Sequence, residues 1–159
     1  MVKRLCALLV SLSIGCAFAT PVTNVSQILN VSLGQSVLND IVADTSTPDR
    51  LYLSFVKATV GPDLPLFLSL FDGDYAMAEF GMSSTNTLSE GQIADFARFV
   101  GGGGVTNRVV ASYSCSVASG TANITSLVKL HTRTGIVDER YELTVRKTNN
   151  EWKIHNWDE

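Results

Sequence analysis

The sequence contains little cysteine, little histidine and no surplus of positive charge. Its 159 residues include three cysteines, two histidines, 12 basic and 15 acidic residues, which leaves a formal net charge of −3. Proteins that bind nucleic acids normally present a basic face to the phosphates, so this composition argues against that class of partner. The histidines and cysteines form no close pair at the spacing of metal ligands, and we therefore expect no metal site.

Motifs that bind phosphates or build a serine nucleophile are also missing. The four-glycine run at residues 101–104 follows a helical pattern and lacks the trailing Lys-Ser/Thr of a phosphate-binding loop. No Gly-x-Ser-x-Gly elbow occurs. We therefore expect no cofactor, and the sequence favours a binding protein over an enzyme.

Only one long hydrophobic run is present, and it lies at the N-terminus. Two basic residues precede the almost wholly apolar residues 5–14, and Ala17 and Ala19 place small side chains where a signal peptidase cleaves. The pattern predicts a signal peptide over residues 1–19 and a secreted, extracellular protein that begins at Thr20. No second run of about 20 apolar residues follows, so we expect no membrane association after cleavage.

If the protein is exported, the Asn-x-Ser/Thr sequons and the remaining cysteine can be interpreted. Asn24, Asn30 and Asn123 each begin an Asn-x-Ser/Thr sequon, and we expect them to be glycosylated. Two of the three cysteines lie within the predicted signal peptide, so Cys115 has no partner for an internal disulfide. We interpret Cys115 as a buried thiol that behaves as a small apolar residue, and an intermolecular bridge is the alternative.

Hydrophobic spacing predicts helices over the first half of the secreted chain. Apolar residues at i+4 spacing in residues 29–41 predict a helix within an N-terminal extension, residues 20–46. Thr47 followed by Pro48 is typical of a helix start, and the Gly-Pro pair at 61–62 is typical of its end.

Three more elements follow before the sheet. Asp63 is placed to begin a short second helix, and the turn after it leads into a predicted strand at residues 75–80. Ser89 and Gln92 form a capping box at the start of the clearest helix, which ends at the glycine run.

Beyond residue 104 the hydrophobic period changes from helical to alternating. Alternation predicts four strands separated by tight turns, near residues 109–117, 124–130, 141–146 and 152–154. In the first strand Val109, Ala111, Tyr113, Cys115 and Val117 are expected on one face. Helices first and an antiparallel meander afterwards predict an α+β fold with helices packed on one face of a curved sheet.

Residues 48–157 resemble the nuclear transport factor 2-like superfamily, whose members include ketosteroid isomerases, scytalone dehydratase and polyketide cyclases. The resemblance lies in Phe-Leu-Ser-Leu-Phe-Asp-Gly-Asp at 67–74, Gly-Gln-Ile-Ala-Asp-Phe at 91–96 and Glu-Trp-Lys-Ile at 151–154. It implies a cystatin-like roll over residues 47–159, a cone-shaped curved antiparallel sheet covered by the N-terminal helices. These segments mark core and turn positions, so the resemblance supports the fold more than an activity.

The resemblance also implies where chemistry would take place. Isomerases of this family pair a carboxylate base with a tyrosine and a neutral acid that hold the charge developing on oxygen. Tyr52 matches the tyrosine, and Glu79 lies beside the place of the base, where the family has aspartate followed by proline. The neutral acid would fall near Arg140, with Glu139 and Glu142 as its acidic neighbours in a strand whose facing the sequence leaves open.

Histidines serve dehydratases of this fold, which makes His131 and His155 the remaining weak catalytic candidates. Six aromatic residues would line or pack beneath the implied cone: Tyr52, Phe55, Phe67, Phe71, Tyr113 and Trp152. Our first interpretation is a secreted domain without a catalytic set that binds a small apolar ligand or a protein partner. The alternatives are an isomerase, dehydratase or cyclase acting on a hydrophobic carbonyl substrate, and a homodimeric interaction module.

Overall fold

The computed structural model describes residues 20–80, 89–101 and 104–158. After a 3₁₀ turn at Val25–Gln27, five helices precede four strands in the described chain. The helices are Gln35–Asp40 (α1), Pro48–Val60 (α2), Leu64–Ser69 (α3), Gly73–Phe80 (α4) and Glu90–Gly101 (α5). The strands are Val105–Ala118 (β1), Thr121–Thr132 (β2), Gly135–Thr148 (β3) and Glu151–Asp158 (β4). None of the described helices has both the length and the hydropathy to cross a membrane.

The strands form one antiparallel sheet in the order β1-β2-β3-β4. Two-residue turns join β1 to β2 and β3 to β4, and both residues of the second turn, Asn149 and Asn150, have positive φ. This conformation matches the right-handed twist of the flanking strands, and asparagine tolerates it well. The predicted meander and the α+β class, a curved sheet with helices on one face, are confirmed.

The alternation of side chains predicted along β1 is interrupted by a bulge. The register with β2 shifts between Val110 and Ser112, so Ala111 is an extra residue. Val110 is therefore fully buried on the same face as Tyr113, whereas Val109 lies on the opposite face. A bulge reverses the alternation and bends the strand, which is why the simple period of two was wrong here.

Helices α2 and α3 begin and end where the sequence predicts. The Thr47 side chain accepts a hydrogen bond from Arg50 N at 3.2 Å, Pro48 occupies the first turn, and Gly61 ends α2. Asp63 caps α3 in the same way through Leu66 N at 3.0 Å. Helix α5 is confirmed as well, although its apolar Ile93 is 48% exposed.

The strand predicted at residues 75–80 is wrong, because these residues belong to helix α4. Asp72 Oδ1 accepts a hydrogen bond from Asp74 N at 3.1 Å, and Ala76 N donates to Asp72 O at 2.8 Å, so the Asp-Gly pair caps a helix instead of closing a hairpin. The segment also lacks β-branched residues and contains two alanines and a glutamate, which favour helix.

The continuous helix expected over residues 29–41 is also wrong. Asn30 adopts φ 60°, and a new short helix, α1, begins after Gly34. Between them the chain lies along the edge of β1, where Asn30 N donates to Val110 O and Leu33 N donates to Arg108 O. The i+4 apolar residues of this segment are therefore anchored by the sheet edge, and several of them belong to the core.

Candidate functional site

Alternating residues divide the sheet into two faces. On β2, Ala122, Ile124, Val128 and Leu130 are buried beneath the helices, and we call their side the covered face. Their odd-numbered neighbours, among them the exposed Asn123, point to the other side, which we call the outer face. The covered face is therefore the side on which a buried site can form.

One row of the covered face carries hydroxyl groups. Ser126 on β2 lies opposite Tyr113 on β1 and Tyr141 on β3. Tyr52 on α2 packs onto this row, with its ring centroid 4.8 Å from that of Tyr113. Three phenols and one serine thus meet where helix α2 crosses the sheet.

Two of these hydroxyls are fully buried with no polar partner in the described part of the chain except each other, and the contact between them is not in good hydrogen-bonding geometry. Tyr52 is 0% and Ser126 is 1% exposed, and among the described residues neither Tyr52 Oη nor Ser126 Oγ has a partner in hydrogen-bonding geometry. Burial raises the pKa of Tyr52 to about 12, and the nearby Ser126 hydroxyl opposes part of that shift. The Tyr52 phenol therefore stays protonated near neutral pH. Buried polar groups almost always have partners, so an unsatisfied pair requires an explanation.

An ionic group adjoins the hydroxyl row on the same face. Glu139 lies two residues before Tyr141 on β3, and Tyr141 Oη donates to Glu139 Oε2 at 2.5 Å. Arg108 reaches this region from β1; burial lowers its pKa, and attraction to Tyr141 and Glu139 opposes that shift. Arg108 and Glu139 thus place a cation and an anion near each other beside the hydroxyl row.

A second phenol is tied to helix α2. Tyr113 Oη donates to Asp49 Oδ1 at 2.5 Å, and burial together with this carboxylate raises the pKa of Tyr113. Cys115 follows on the same face as a free, half-buried thiol, and burial raises its pKa as well. A thiol with a raised pKa forms little thiolate near neutral pH, so Cys115 is a weak nucleophile in this setting.

The aromatic residues predicted to line a pocket pack against one another. Tyr52, Phe55, Phe67 and Phe71 are at most 4% exposed, and the ring centroids of Phe67 lie 5.9 Å from Phe55 and 4.8 Å from Phe71. Trp152 is 7% exposed on β4. The role of the six predicted residues as pocket lining stays a prediction, and among them Tyr52 and Tyr113 bring hydroxyls that can form hydrogen bonds to the covered face.

The structure does not gather the predicted catalytic residues in one place. Glu79 is exposed on helix α4, and His131 lies on the outer face at the end of β2, whereas Tyr52 lies on the covered face. His155 is the extra residue of a bulge in β4, and its Nδ1 is buried without a partner in the described chain. No three His, Cys, Asp or Glu side chains of the described residues are placed to hold a metal ion.

Sequence reasoning missed Arg108 and Tyr141 as members of this group, and it named Glu139 only as a neighbour of the place expected for the neutral acid. The register places Glu139 on the covered face and pairs Arg140 with Glu142 on the outer face, where Arg140 Nε lies 2.8 Å from Glu142 Oε1. Side chains alternate between the two faces of a strand, so the apolar Leu143 predicts that Tyr141 and Glu139, two and four residues before it, lie on the same covered face. Ser126 was visible as a polar residue at an apolar position of β2, but Arg108 was hidden by the bulge.

Comparisons with known proteins bear on the fold alone. No family model matches the sequence, and no curated protein matches it either. Among solved structures, a SEC-C motif containing protein from Rhodopseudomonas palustris superposes with a TM-score of 0.52 at 9% identity, over 77% of this chain and 86% of that chain. The two proteins therefore share a fold.

Two further structures match less well. A protein from Xanthomonas campestris, assigned as a calcium/calmodulin-dependent protein kinase II association domain, has a TM-score of 0.44 and 18% identity over 67% of this chain and 79% of that chain. A protein from Streptomyces avermitilis, assigned as a dehydratase of the NTF2-like family, has a TM-score of 0.42 and 17% identity over 67% of this chain and 87% of that chain.

Proposed function

We propose that this chain is a secreted domain of the nuclear transport factor 2-like superfamily that binds a small, largely apolar ligand on the covered face of its sheet. The order of helices and strands and the three similar sequence segments support the family. The ligand proposal is carried by the buried hydroxyls of Tyr52 and Ser126, which find no well-formed hydrogen bond within the described protein.

Two such hydroxyls destabilise a fold by roughly 1–3 kcal/mol each. A ligand with a carbonyl or hydroxyl oxygen satisfies both, because tyrosine and serine hydroxyls can donate and accept. The surroundings are apolar, since Phe55 stacks 6.5 Å from Tyr52 and Ser126 lies between Ile124 and Val128 on its strand. The body of the ligand is therefore expected to be apolar.

The ionic residues define the charge of that ligand. Arg108 and Glu139 attract each other across the covered face, so their charges compensate. Burying an additional charge beside a compensated pair costs free energy unless it gains a partner of its own. We therefore expect an uncharged ligand that carries one polar oxygen.

Native mass spectrometry of the protein secreted by eukaryotic cells tests this proposal. The parent protein is expected to retain a bound small molecule, and the double variant Tyr52→Phe/Ser126→Ala is expected to lose it. Ser54→Ala is the matched control: Ser54 is also a buried serine, but it lies at the other side of α2, where its hydroxyl bonds to the backbone at Asp44 and Arg50. This control keeps the ligand.

An empty parent protein, or a double variant that keeps its ligand, contradicts the proposal. Urea unfolding of each variant shows whether ligand loss reflects a damaged fold.

Secretion has a separate test, because the protein recovered from the medium is expected to begin at Thr20. If the full-length chain stays inside the cells, the secreted assignment is wrong, but the proposal of a ligand site is unaffected.

The second function is an isomerase, dehydratase or cyclase, and the hydrogen bond between Tyr141 and Glu139 favours it. A carboxylate beside phenols on a buried face can take a proton next to a carbonyl while a neutral phenol such as Tyr52 stabilises the resulting oxyanion. The test is turnover of an enolisable ketosteroid. This function is supported if Glu139→Gln abolishes the turnover and Glu79→Gln preserves it. Absence of turnover by the parent protein removes that substrate class.

A further inference from the structure

Around Asn123 the outer face of the sheet is built from polar residues. Around Asn123 it presents hydroxyl and carboxylate side chains from the neighbouring strands, namely Ser114, Ser116, Thr125, Glu142 and Thr144. Among the described residues, Ile136 is the one strongly exposed large apolar side chain on this face, and it lies far from Asn123 near the turn between β2 and β3. Interfaces between stable subunits have apolar, fully buried centres, and the strand pairs around Asn123 offer none; the half-buried Val109 and Leu127 lie further along the sheet.

Asn123 is presented on this face in a way that leaves its amide nitrogen accessible. The side chain is exposed, and its Oδ1 accepts a hydrogen bond from Thr144 Oγ1 at 3.3 Å. Its Nδ2 has no hydrogen-bond partner among the described residues. The residues directly opposite Asn123 on the two adjacent strands, Ser116 and Thr144, are small, so neither opposite side chain crowds Nδ2.

The same pattern holds at the N-terminal sequons. Asn24 is exposed and caps the 3₁₀ turn through Oδ1, which accepts from Ser26 N at 2.9 Å and leaves Nδ2 free of that contact. Asn30 is exposed at a position with φ 60°. Asn24 lies outside the sheet, and Asn30 is bonded through its backbone to the edge of β1 at Val110, so neither lies among the strand pairs around Asn123.

We propose that Asn123 carries an N-linked glycan and that the outer face is a glycan-bearing surface, not a dimer interface. The transfer forms a bond between Asn123 Nδ2 and the anomeric carbon of an oligosaccharide. It breaks the bond from that carbon to a lipid pyrophosphate, which is the donor and leaves with the displaced electron pair, and Nδ2 loses one proton. The third residue of the sequon, Thr125, lies beside Asn123 on the same exposed side of β2.

Peptide mass spectrometry of the secreted protein, after enzymatic deglycosylation in ¹⁸O water, tests the modification. Asn123 is expected to appear as labelled aspartate. Asn123→Gln and Thr125→Ala each remove one glycan from the intact mass, whereas Thr125→Ser retains it because the sequon survives. Asn156→Gln is the matched control, since Asn156 shares the outer face next to Thr144 but begins no sequon. Unmodified Asn123 in the secreted protein overturns the proposal.

Sedimentation equilibrium tests the consequence for assembly. The glycosylated protein is expected to be a monomer over a wide concentration range, because the glycan covers the centre of the outer face. A glycosylated dimer that Ser116→Arg dissociates would show that copies pair through this face, and it overturns the proposal. The outcome is independent of the ligand site, which lies on the covered face.

Discussion

Two buried serines show how differently the two sides of helix α2 are built. Ser54 is 0% exposed, and its Oγ accepts from Asp44 N at 2.7 Å and lies 2.9 Å from Asp44 O and 3.0 Å from Arg50 O. Ser126 is 1% exposed, and its Oγ has no partner in hydrogen-bonding geometry within the described chain. The Ser54 hydroxyl is therefore satisfied by hydrogen bonds within the protein, and the Ser126 hydroxyl is available to a ligand.

This difference indicates that the Ser54 hydroxyl has a structural role and that the Ser126 hydroxyl has a role in ligand binding. Ser54 fastens the loop before α2 to the helix, so its hydroxyl stabilises the native state. Ser126 and its neighbour Tyr52 are desolvated with only a poorly aligned contact between them as compensation, which lowers the stability of the ligand-free protein. Removing each hydroxyl therefore has opposite consequences for the fold, and the predictions below follow from that difference.

The largest effect is expected for Tyr52→Phe in alkali. The unfolded phenol titrates at its ordinary pKa of 10.0, whereas in the folded protein the pKa of Tyr52 is raised to about 12. The folded state therefore holds a proton that the unfolded state releases. The titration of Tyr52 leaves stability unchanged below pH 10, and above pH 10 the free energy of unfolding falls by about 1.4 kcal/mol per pH unit until the folded phenol ionises, roughly 3 kcal/mol in all.

Urea unfolding of the parent protein and the Tyr52→Phe variant at a series of pH values from 8 to 11 measures this. The variant lacks the titrating group, so its stability is expected to fall less steeply above pH 10 than that of the parent. Equal slopes for the two proteins contradict the burial of the phenol on which the site depends.

Ser54→Ala is expected to destabilise the protein by roughly 1–3 kcal/mol at neutral pH, because Asp44 N loses its acceptor. Chemical denaturation measures the change in the free energy of unfolding. If Ser54→Ala unfolds at the same urea concentration as the parent, the hydrogen bonds assigned to Ser54 do not stabilise the fold, and the contrast between the two serines disappears.

Ser126→Ala is expected to raise the stability of the ligand-free protein by up to roughly 1–3 kcal/mol, the cost of leaving a buried hydroxyl unsatisfied. No hydrogen bond is lost, and the methyl group suits its apolar neighbours Ile124 and Val128. The same denaturation experiment provides the measurement. A loss as large as that of Ser54→Ala would mean that the Ser126 hydroxyl has a structural partner after all.

Local signals predicted much of the fold. Thr47 and Pro48 mark the start of α2, and Asn149 and Asn150 mark the last hairpin, because capping and positive φ are properties of a few adjacent residues. The strand expected at residues 75–80 was wrong because an aspartate followed by glycine can cap a helix as well as form a turn.

The candidate site was predicted only in part. Tyr52 was found by resemblance, but its relation to Ser126 depends on how α2 packs across the sheet, which no local pattern encodes. Arg108 reaches the covered face only because Ala111 is an extra residue in β1. Glu139 required the register of β3, since a shift by one residue would move it to the outer face.

A high-resolution crystal structure of the protein secreted by eukaryotic cells tests the central claim most directly. We predict electron density for a non-protein molecule with a polar oxygen within hydrogen-bonding distance of both Tyr52 Oη and Ser126 Oγ. Density that shows the two hydroxyls bonded only to each other or to water, with apolar side chains closing over them, would contradict the account.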